Sequence, residues 1–142
     1  MKSNLFILIL LIMSSCSTDD KYDVCYFGRL KNHKNVDLLI RAIKLCVNIN
    51  NDLSVKIFGD GPERNNLENL VKELKLKSNI KFEGFIDSHE ELLREVSASN
   101  LFVHPSTKEG GGSIVTLEAN AVGVPVLAIK SDLGIDKSLI YD

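Results

Sequence analysis

Apolar and polar residues alternate along the chain in blocks that predict a regular succession of strands and helices. Short apolar runs, each closed by a glycine or a polar residue, are typical of buried strands in a parallel sheet. The first run reads VCYF and ends before Gly28, and the second reads SVKIF and ends before Gly59. The five predicted strands are residues 24–27, 54–58, 80–82, 101–104 and 125–129.

Between these strands, apolar residues recur at the spacing of amphipathic helices. Pro62 suits a first helical turn, and Ser88 precedes Glu91 by the spacing of a capping box. The predicted helices, each with the residues of its apolar face, are 35–49 (Val36, Leu39, Ile40, Ile43, Val47), 63–76 (Leu67, Leu70, Val71, Leu74), one opened by Ser88 (Leu92, Leu93, Val96) and one around Glu118 (Ile114, Leu117, Ala121).

Strands that alternate with helices of this length indicate right-handed crossovers and a parallel sheet covered on both faces. The sequence therefore predicts an α/β fold with a doubly wound, Rossmann-like parallel sheet. In such a fold, ligands bind where the carboxyl ends of strands meet the amino ends of helices.

The amino-terminal segment, residues 1–16, has a different pattern. An unbroken apolar run at residues 5–13 follows Lys2 and precedes two serines and Cys16. The run is too short to cross a bilayer as a helix, but its flanks are typical of a secretory signal, with a loose likeness to a lipoprotein signal whose cysteine is acylated. The alternative interpretation is a false start of the reading frame, and the apolar run alone does not separate the two.

A polar stretch, residues 17–23, reads as a linker, and the regular pattern occupies residues 24–142.

The chain of 142 residues has room for one ordinary domain, with 44% hydrophobic and 25% charged residues as in globular proteins. The net charge of −2 does not favour nucleic acid as a partner. Three cysteines do not make a disulfide scaffold, and no His, Cys and Asp cluster has metal-ligand spacing, so no metal is expected.

Three loops that follow predicted strands carry candidate chemistry. Arg29 and Lys34 precede the first helix, where a basic loop and a helix amino terminus favour a phosphate, although a solvated basic loop would look the same. The second loop, residues 59–62, lacks the third glycine of a dinucleotide site and reads as a turn with an aspartate cap. In the third loop, glycines 110–112 and Ser113 can point several backbone N–H groups at one anion, and Ser113 can cap the helix that carries Glu118.

In this order, the loop motifs resemble the carboxyl-terminal, donor-binding domain of glycosyltransferase family 4, over about residues 22–140. Members of that family are retaining enzymes of the GT-B fold that use nucleotide sugars. The resemblance rests on Tyr26-Phe27-Gly28-Arg29-Leu30, Lys34-Asn35, Ile57-Phe58-Gly59-Asp60-Gly61-Pro62, Phe82-Glu83-Gly84-Phe85, Pro105-Ser106, Glu109-Gly110, Leu117-Glu118-Ala119, Gly123 and Pro125.

The resemblance implies a role for each matching residue. It implies that Arg29 and Lys34 are the basic pair that binds the donor diphosphate. It also implies that Glu109 contacts the donor sugar and that Glu118 contacts the ribose. These four are the implied catalytic residues. The implied donor-binding residues are Gly28, Arg29, Lys34, Gly59, Phe85 (near the nucleobase), Glu109, Gly111, Gly112, Ser113 and Glu118. His104, at a strand end, is interpreted as a hydrogen-bonded structural histidine rather than a base.

The chain departs from the family pattern in two ways. Residues 110–117 separate the two glutamates, one residue more than in the family motif. The leader stands where the family has an acceptor-binding domain, and the sequence stops before the closing elements of the family's fold. The resemblance therefore implies a nucleoside-diphosphate-sugar binder that needs an acceptor domain or a partner chain for transfer, and no metal or other cofactor.

Three interpretations stay open: a donor-binding glycosyltransferase domain that is inactive alone, a non-enzymatic binding module or decayed fragment, and an envelope lipoprotein with a recruited α/β domain. The first favours a cytoplasmic location, because nucleotide sugars are cytoplasmic. A genuine signal in residues 1–16 would instead imply export or a membrane anchor.

Overall fold

The computed structural model describes residues 21–108 and 113–129 of the chain. Within these ranges, five strands form one parallel sheet in the order β3-β2-β1-β4-β5. Helices α1 to α4 and one 3-10 turn connect them. The elements in chain order are β1 (Tyr22–Phe27), the 3-10 turn (Asn32–Lys34), α1 (Val36–Val47), β2 (Val55–Phe58), α2 (Arg64–Glu73), β3 (Ile80–Gly84), α3 (His89–Ser97), β4 (Ser99–His104), α4 (Ile114–Ala121) and β5 (Val126–Ala128).

The strand order reverses direction between β1 and β4. The chain runs outward from β1 through β2 to β3, and then returns to place β4 on the other side of β1. Val24 in β1 is therefore paired with Val55 in β2 and with Leu101 in β4. This doubly wound topology confirms the predicted Rossmann-like α/β fold.

Successive residues of the strands pack alternately into two hydrophobic cores, one on each face of the sheet. Val24 and Tyr26 pack in the core that also contains α1 and α2, whereas Cys25 and Phe27 pack in the core that contains Val96 of α3 and Ala119 of α4. The predicted apolar face of α1 is buried at every position, which confirms the helical spacing; its residues are Val36, Leu39, Ile40, Ile43 and Val47.

Strand β1 begins earlier than its apolar pattern predicts, so Tyr22 and Asp23 of the predicted linker are strand residues. The Asp23 carboxylate accepts hydrogen bonds from both the backbone N–H and the hydroxyl of Ser54, and the Tyr22 N–H donates to the carbonyl of Ala98. A polar residue can extend a buried strand when its hydrogen bonds are made within the protein. The apolar leader, residues 1–16, lies outside the described residues.

Helix α4 packs through a different face from the one that the sequence predicts. Ile114 and Leu117 are 69% and 55% exposed, and Ala121 is also exposed, whereas Thr116 and Ala119 are buried. The prediction of that face was wrong because it ranked positions by hydrophobicity, while the small Ala119 side chain is what lies in the core. Among the described residues, no helix has the length and hydrophobicity needed to cross a membrane.

Candidate functional site

The candidate site lies at the carboxyl ends of β1 and β4, where the strand order reverses. Open α/β sheets bind ligands in the crevice at this switch point, because the loops of the two strands diverge to opposite faces. The loop after β1 spans residues 28–35. The loop after β4 spans residues 105–113, and residues 109–112 of it are not described.

Hydrogen bonds tie these two loops together. The side-chain amide of Asn35 donates to the Pro105 carbonyl at 3.0 Å and to the Thr107 hydroxyl at 3.2 Å. The hydroxyl of the buried Ser106 donates to the His33 carbonyl at 3.2 Å. We call the contacts of Asn35 with Pro105 and Thr107 the clasp. The clasp links the two loops directly.

Three basic residues belong to the first loop. Arg29 and Lys31 are exposed, whereas Lys34 is half-buried at the end of the 3-10 turn. Burial lowers the pKa of Lys34, and the charges of Lys31 and Arg29 lower it further. A bound anion would relieve this repulsion, so the loop is electrostatically suited to a phosphate group. The structure thus brings the predicted basic pair, Arg29 and Lys34, into one loop at the switch point.

His104 lies at the end of β4, beside this basic loop. It is 4% exposed, and its ring stacks on Phe102 with 6.2 Å between centroids. Burial and the nearby charge of Lys34 lower the pKa of His104 to about 4. The imidazole is therefore neutral near pH 7.

Two of the glycines predicted to bind the donor, Gly28 and Gly59, use their amides within the protein. The Gly28 N–H donates to the Phe58 carbonyl, and the Gly59 N–H donates to the Gly84 carbonyl. A Cβ atom on Gly59 would lie 2.0 Å from the Gly28 oxygen, and one on Gly61 would lie 2.4 Å from the Leu30 oxygen. Glycine is therefore needed here so that the loop after β2 can pack against the basic loop.

Glu118 lies on α4, and its carboxylate is 3.3 Å from Nε2 of His89, the first residue of α3. The Glu118 side chain is 21% exposed and that of His89 is 62% exposed. Ser88 caps α3 by accepting from the Glu91 N–H at 3.2 Å, which confirms the prediction that Ser88 opens this helix. Phe85, which follows β3, is 72% exposed.

Ser113 occupies the cap position of α4, as predicted, but its side chain makes no capping hydrogen bond. The Thr116 hydroxyl donates instead to the Ser113 carbonyl at 2.7 Å. The other residues predicted for this loop lie outside the described residues; they are Glu109, Gly110, Gly111 and Gly112.

Sequence reasoning missed two contacts of the site. The sequence showed Asn35 inside a motif, and asparagine tolerates the left-handed conformation, but nothing in the sequence indicated that its side chain reaches the loop after β4. The contact of His89 with Glu118 depends on the approach of α3 to α4, which local patterns do not reveal.

A second concavity of about 390 Å³ lies between α1 and α2, with Lys31 and Arg41 opposed by Asp37, Glu63 and Glu73. This mixture of charges does not select for a ligand of one sign, so we assign the candidate site to the switch point. Within residues 21–108 and 113–129, no group of three His, Cys, Asp or Glu side chains is arranged to hold a metal ion.

Comparison with known proteins identifies relatives across nearly the whole chain. The profile of the family described as Glycosyl transferases group 1 matches residues 14–140. The Alpha-D-kanosaminyltransferase of Streptomyces kanamyceticus is 36% identical over 110 residues, which are 78% of this chain and 28% of that protein. The chain thus spans under a third of the length of such relatives.

Solved structures share the fold. The carboxyl-terminal domain of a glycosyl transferase group 1 family protein (LpcC) from Francisella tularensis has a TM-score of 0.73 and 29% identity, covering 85% of this chain and 63% of that one. Anabaena Alr3699/HepE, determined in complex with UDP, has a TM-score of 0.67 and 26% identity, covering 92% of this chain and 35% of that one.

Proposed function

Because the chain belongs to the glycosyl transferases group 1 family, we propose that its GT-B-type, Rossmann-like domain binds the nucleoside diphosphate of a sugar donor at the carboxyl ends of β1 and β4. The observation that carries the proposal is the basic loop at the switch point, where a half-buried Lys34 lies close to Arg29 and Lys31. The complex of the HepE relative with UDP supports the choice of a nucleotide as ligand.

In this proposal, Arg29 and Lys34 bind the diphosphate. The guanidinium group offers a planar fork of donors to phosphate oxygens, and the Lys34 ammonium offers a compact charge. Helix α4 begins directly after the loop that follows β4, so N–H groups of its first turn would add hydrogen bonds to the anion. Gly28 and Gly59 contribute by shaping the loops, because their amides are already bonded.

The remaining roles follow from the family resemblance. Glu118 would accept hydrogen bonds from the ribose hydroxyls, and Phe85 would lie against the nucleobase. Glu109, with Gly111, Gly112 and Ser113, would contact the sugar and phosphates. His89 already lies against Glu118, so ribose would share that carboxylate with the imidazole. Retention of configuration and transfer to an acceptor belong to this proposal as properties of a longer enzyme.

The proposal is tested by titrating UDP, GDP, ADP and dTDP into the full chain by calorimetry. Hydrogen bonds to charged groups contribute about 1.5–3 kcal/mol each, so Arg29→Ala and Lys34→Ala should each weaken binding of the preferred nucleotide by about ten- to a hundredfold. Lys77→Ala is the matched control, since Lys77 is an exposed lysine just before β3, at the opposite end of the strands.

The proposal fails if the unmodified chain binds none of these nucleotides. It also fails if both substitutions leave the affinity unchanged while circular dichroism shows an intact fold. A loss of affinity in Lys77→Ala equal to that in Lys34→Ala would show that net charge, rather than this loop, binds the nucleotide.

A further inference from the structure

We propose that Asn35 is a positioning residue, which holds the basic loop against the loop after β4 and so sets the geometry of the diphosphate site. The inference rests on the proposed function, because it assigns a role within that site. Asn35 itself would not contact the nucleotide; it would act through Lys34, its neighbour in the chain, and through the start of the glycine-containing loop.

The backbone of Asn35 is held in an uncommon conformation. Its φ of 52° and ψ of 36° lie in the left-handed region, where a non-glycine residue is disfavoured. Its N–H donates to the Asn32 carbonyl, which ends the 3-10 turn, and its own carbonyl accepts from Leu38 as α1 begins. Asn35 therefore lies between the 3-10 turn and α1, and Lys34, the last residue of that turn, is directly joined to it.

The side chain of Asn35 makes both contacts of the clasp. The amide nitrogen Nδ2 donates to the Pro105 carbonyl at 3.0 Å and to the Thr107 hydroxyl at 3.2 Å. Thr107 precedes Glu109 by two residues, so the clasp holds the loop immediately before the segment that the sequence assigns to the donor sugar and phosphates. One side chain thus links the two halves of the proposed site.

The charges of the basic loop explain why the link that Asn35 makes between the two loops would favour nucleotide binding. Lys34 is half-buried and lies near the like charges of Arg29 and Lys31, which lower its pKa. Without a ligand, repulsion favours moving the ammonium group into solvent. A backbone anchored by Asn35 limits the positions that the ammonium group can reach, so nucleotide binding has less of the ordering cost to supply.

The central test is Asn35→Gly, because glycine adopts the left-handed conformation without strain and removes only the side-chain amide. We expect the affinity for UDP, or for whichever diphosphate the unmodified chain prefers, to fall by about tenfold, as the loss of one or two hydrogen bonds implies. The affinity for the corresponding nucleoside, measured by NMR titration, should stay unchanged, because the nucleoside lacks the groups that the clasp positions.

Two further substitutions separate positioning from general loss of structure. Lys75→Gly is the matched control: Lys75 also has a positive φ, 58°, but follows α2 away from the site, so the nucleotide affinity should not change. Thr107→Val removes one partner of the clasp and should weaken diphosphate binding, whereas Thr107→Ser keeps the hydroxyl and should retain it. If Asn35→Gly does not fold, this threonine pair carries the test.

Each outcome is decisive. Unchanged diphosphate affinity in a folded Asn35→Gly, or equal losses for diphosphate and nucleoside, would overturn the inference. So would equal behaviour of Thr107→Val and Thr107→Ser. Absence of nucleotide binding by the unmodified chain would instead defeat the proposed function, and the positioning role with it.

Discussion

At the scale of single residues, His104 connects the candidate site to stability. Its pKa is lowered from 6.5 to about 4 in the folded chain, so between these values the unfolded chain binds more protons than the folded one. The contribution of His104 to stability should therefore be fully present above pH 6.5 and be lost as the pH drops towards 4. The shift corresponds to a loss of up to about 3 kcal/mol, since one pKa unit is about 1.36 kcal/mol.

The measurement is urea denaturation at pH values from 7 to 4.5. His104→Gln should flatten the acid-induced loss, because the side chain no longer takes up a proton on unfolding. His33→Gln provides the matched control at an exposed histidine of the 3-10 turn and should keep the slope of the unmodified chain. Identical slopes in all three proteins would refute the assignment.

The residues of the site differ in how far the sequence could reveal them. Arg29 and Lys34 were predicted because their loop follows a strand and precedes a helix, and the structure places both at the switch point. The clasp could not be predicted, because it joins Asn35 to Thr107 across two loops that are far apart in the chain. The contact between Asn35 and Thr107 can be recognised only once the strand order shows that β1 and β4 are neighbours.

At the scale of elements, α4 provides a test of which face stabilises the domain. Ala119 is fully buried, whereas Leu117 is 55% exposed. We expect Ala119→Leu to destabilise the chain by about 1–3 kcal/mol through overpacking. Leu117→Ala should change the free energy of unfolding by less than about 0.5 kcal/mol, as surface substitutions do. Chemical denaturation of both variants measures the difference, and a larger loss in Leu117→Ala would contradict the packing described.

The spacing of apolar residues predicted helices better than it predicted their contacts. In α1, long apolar side chains occupy every buried position of the predicted face, so hydrophobicity and burial coincide. In α4, the small side chain of Ala119 is the one that packs in the core. The larger apolar residues Ile114 and Leu117 lie on the exposed face instead. The early start of β1 has a similar cause, because the partner that accommodates Asp23 is Ser54 of another segment.

At the scale of the whole molecule, the alternation of strands and helices was sufficient to predict the architecture. Parallel strands require crossovers of fixed hand, so five strands in this succession leave few topologies. The observed order, with its reversal between β1 and β4, is one of them, and it also locates the crevice. The position of the proposed site therefore followed from the fold class, whereas the contacts between its loops did not.

The last prediction concerns catalysis by the 142-residue chain alone. We expect it to bind a nucleotide sugar without transferring the sugar. The chain spans 28% of the kanosaminyltransferase relative, and the described residues form one sheet with one switch point. Transfer requires two substrates in a fixed geometry, and such positioning can lower a barrier by about 7–11 kcal/mol. A site on one domain also leaves the donor open to water, which weakens the electrostatic effect of Arg29 and Lys34.

The measurement is incubation of the chain with radiolabelled nucleotide sugars and a panel of sugar and lipid acceptors, with a full-length relative as the positive control. Binding of the donor without labelled product is the expected result. Robust transfer that is abolished by Glu109→Ala would contradict it, and would show that this chain holds an acceptor as well. Transfer whose specific rate rises with protein concentration would assign the acceptor site to a second copy of the chain, since dimerisation depends on concentration.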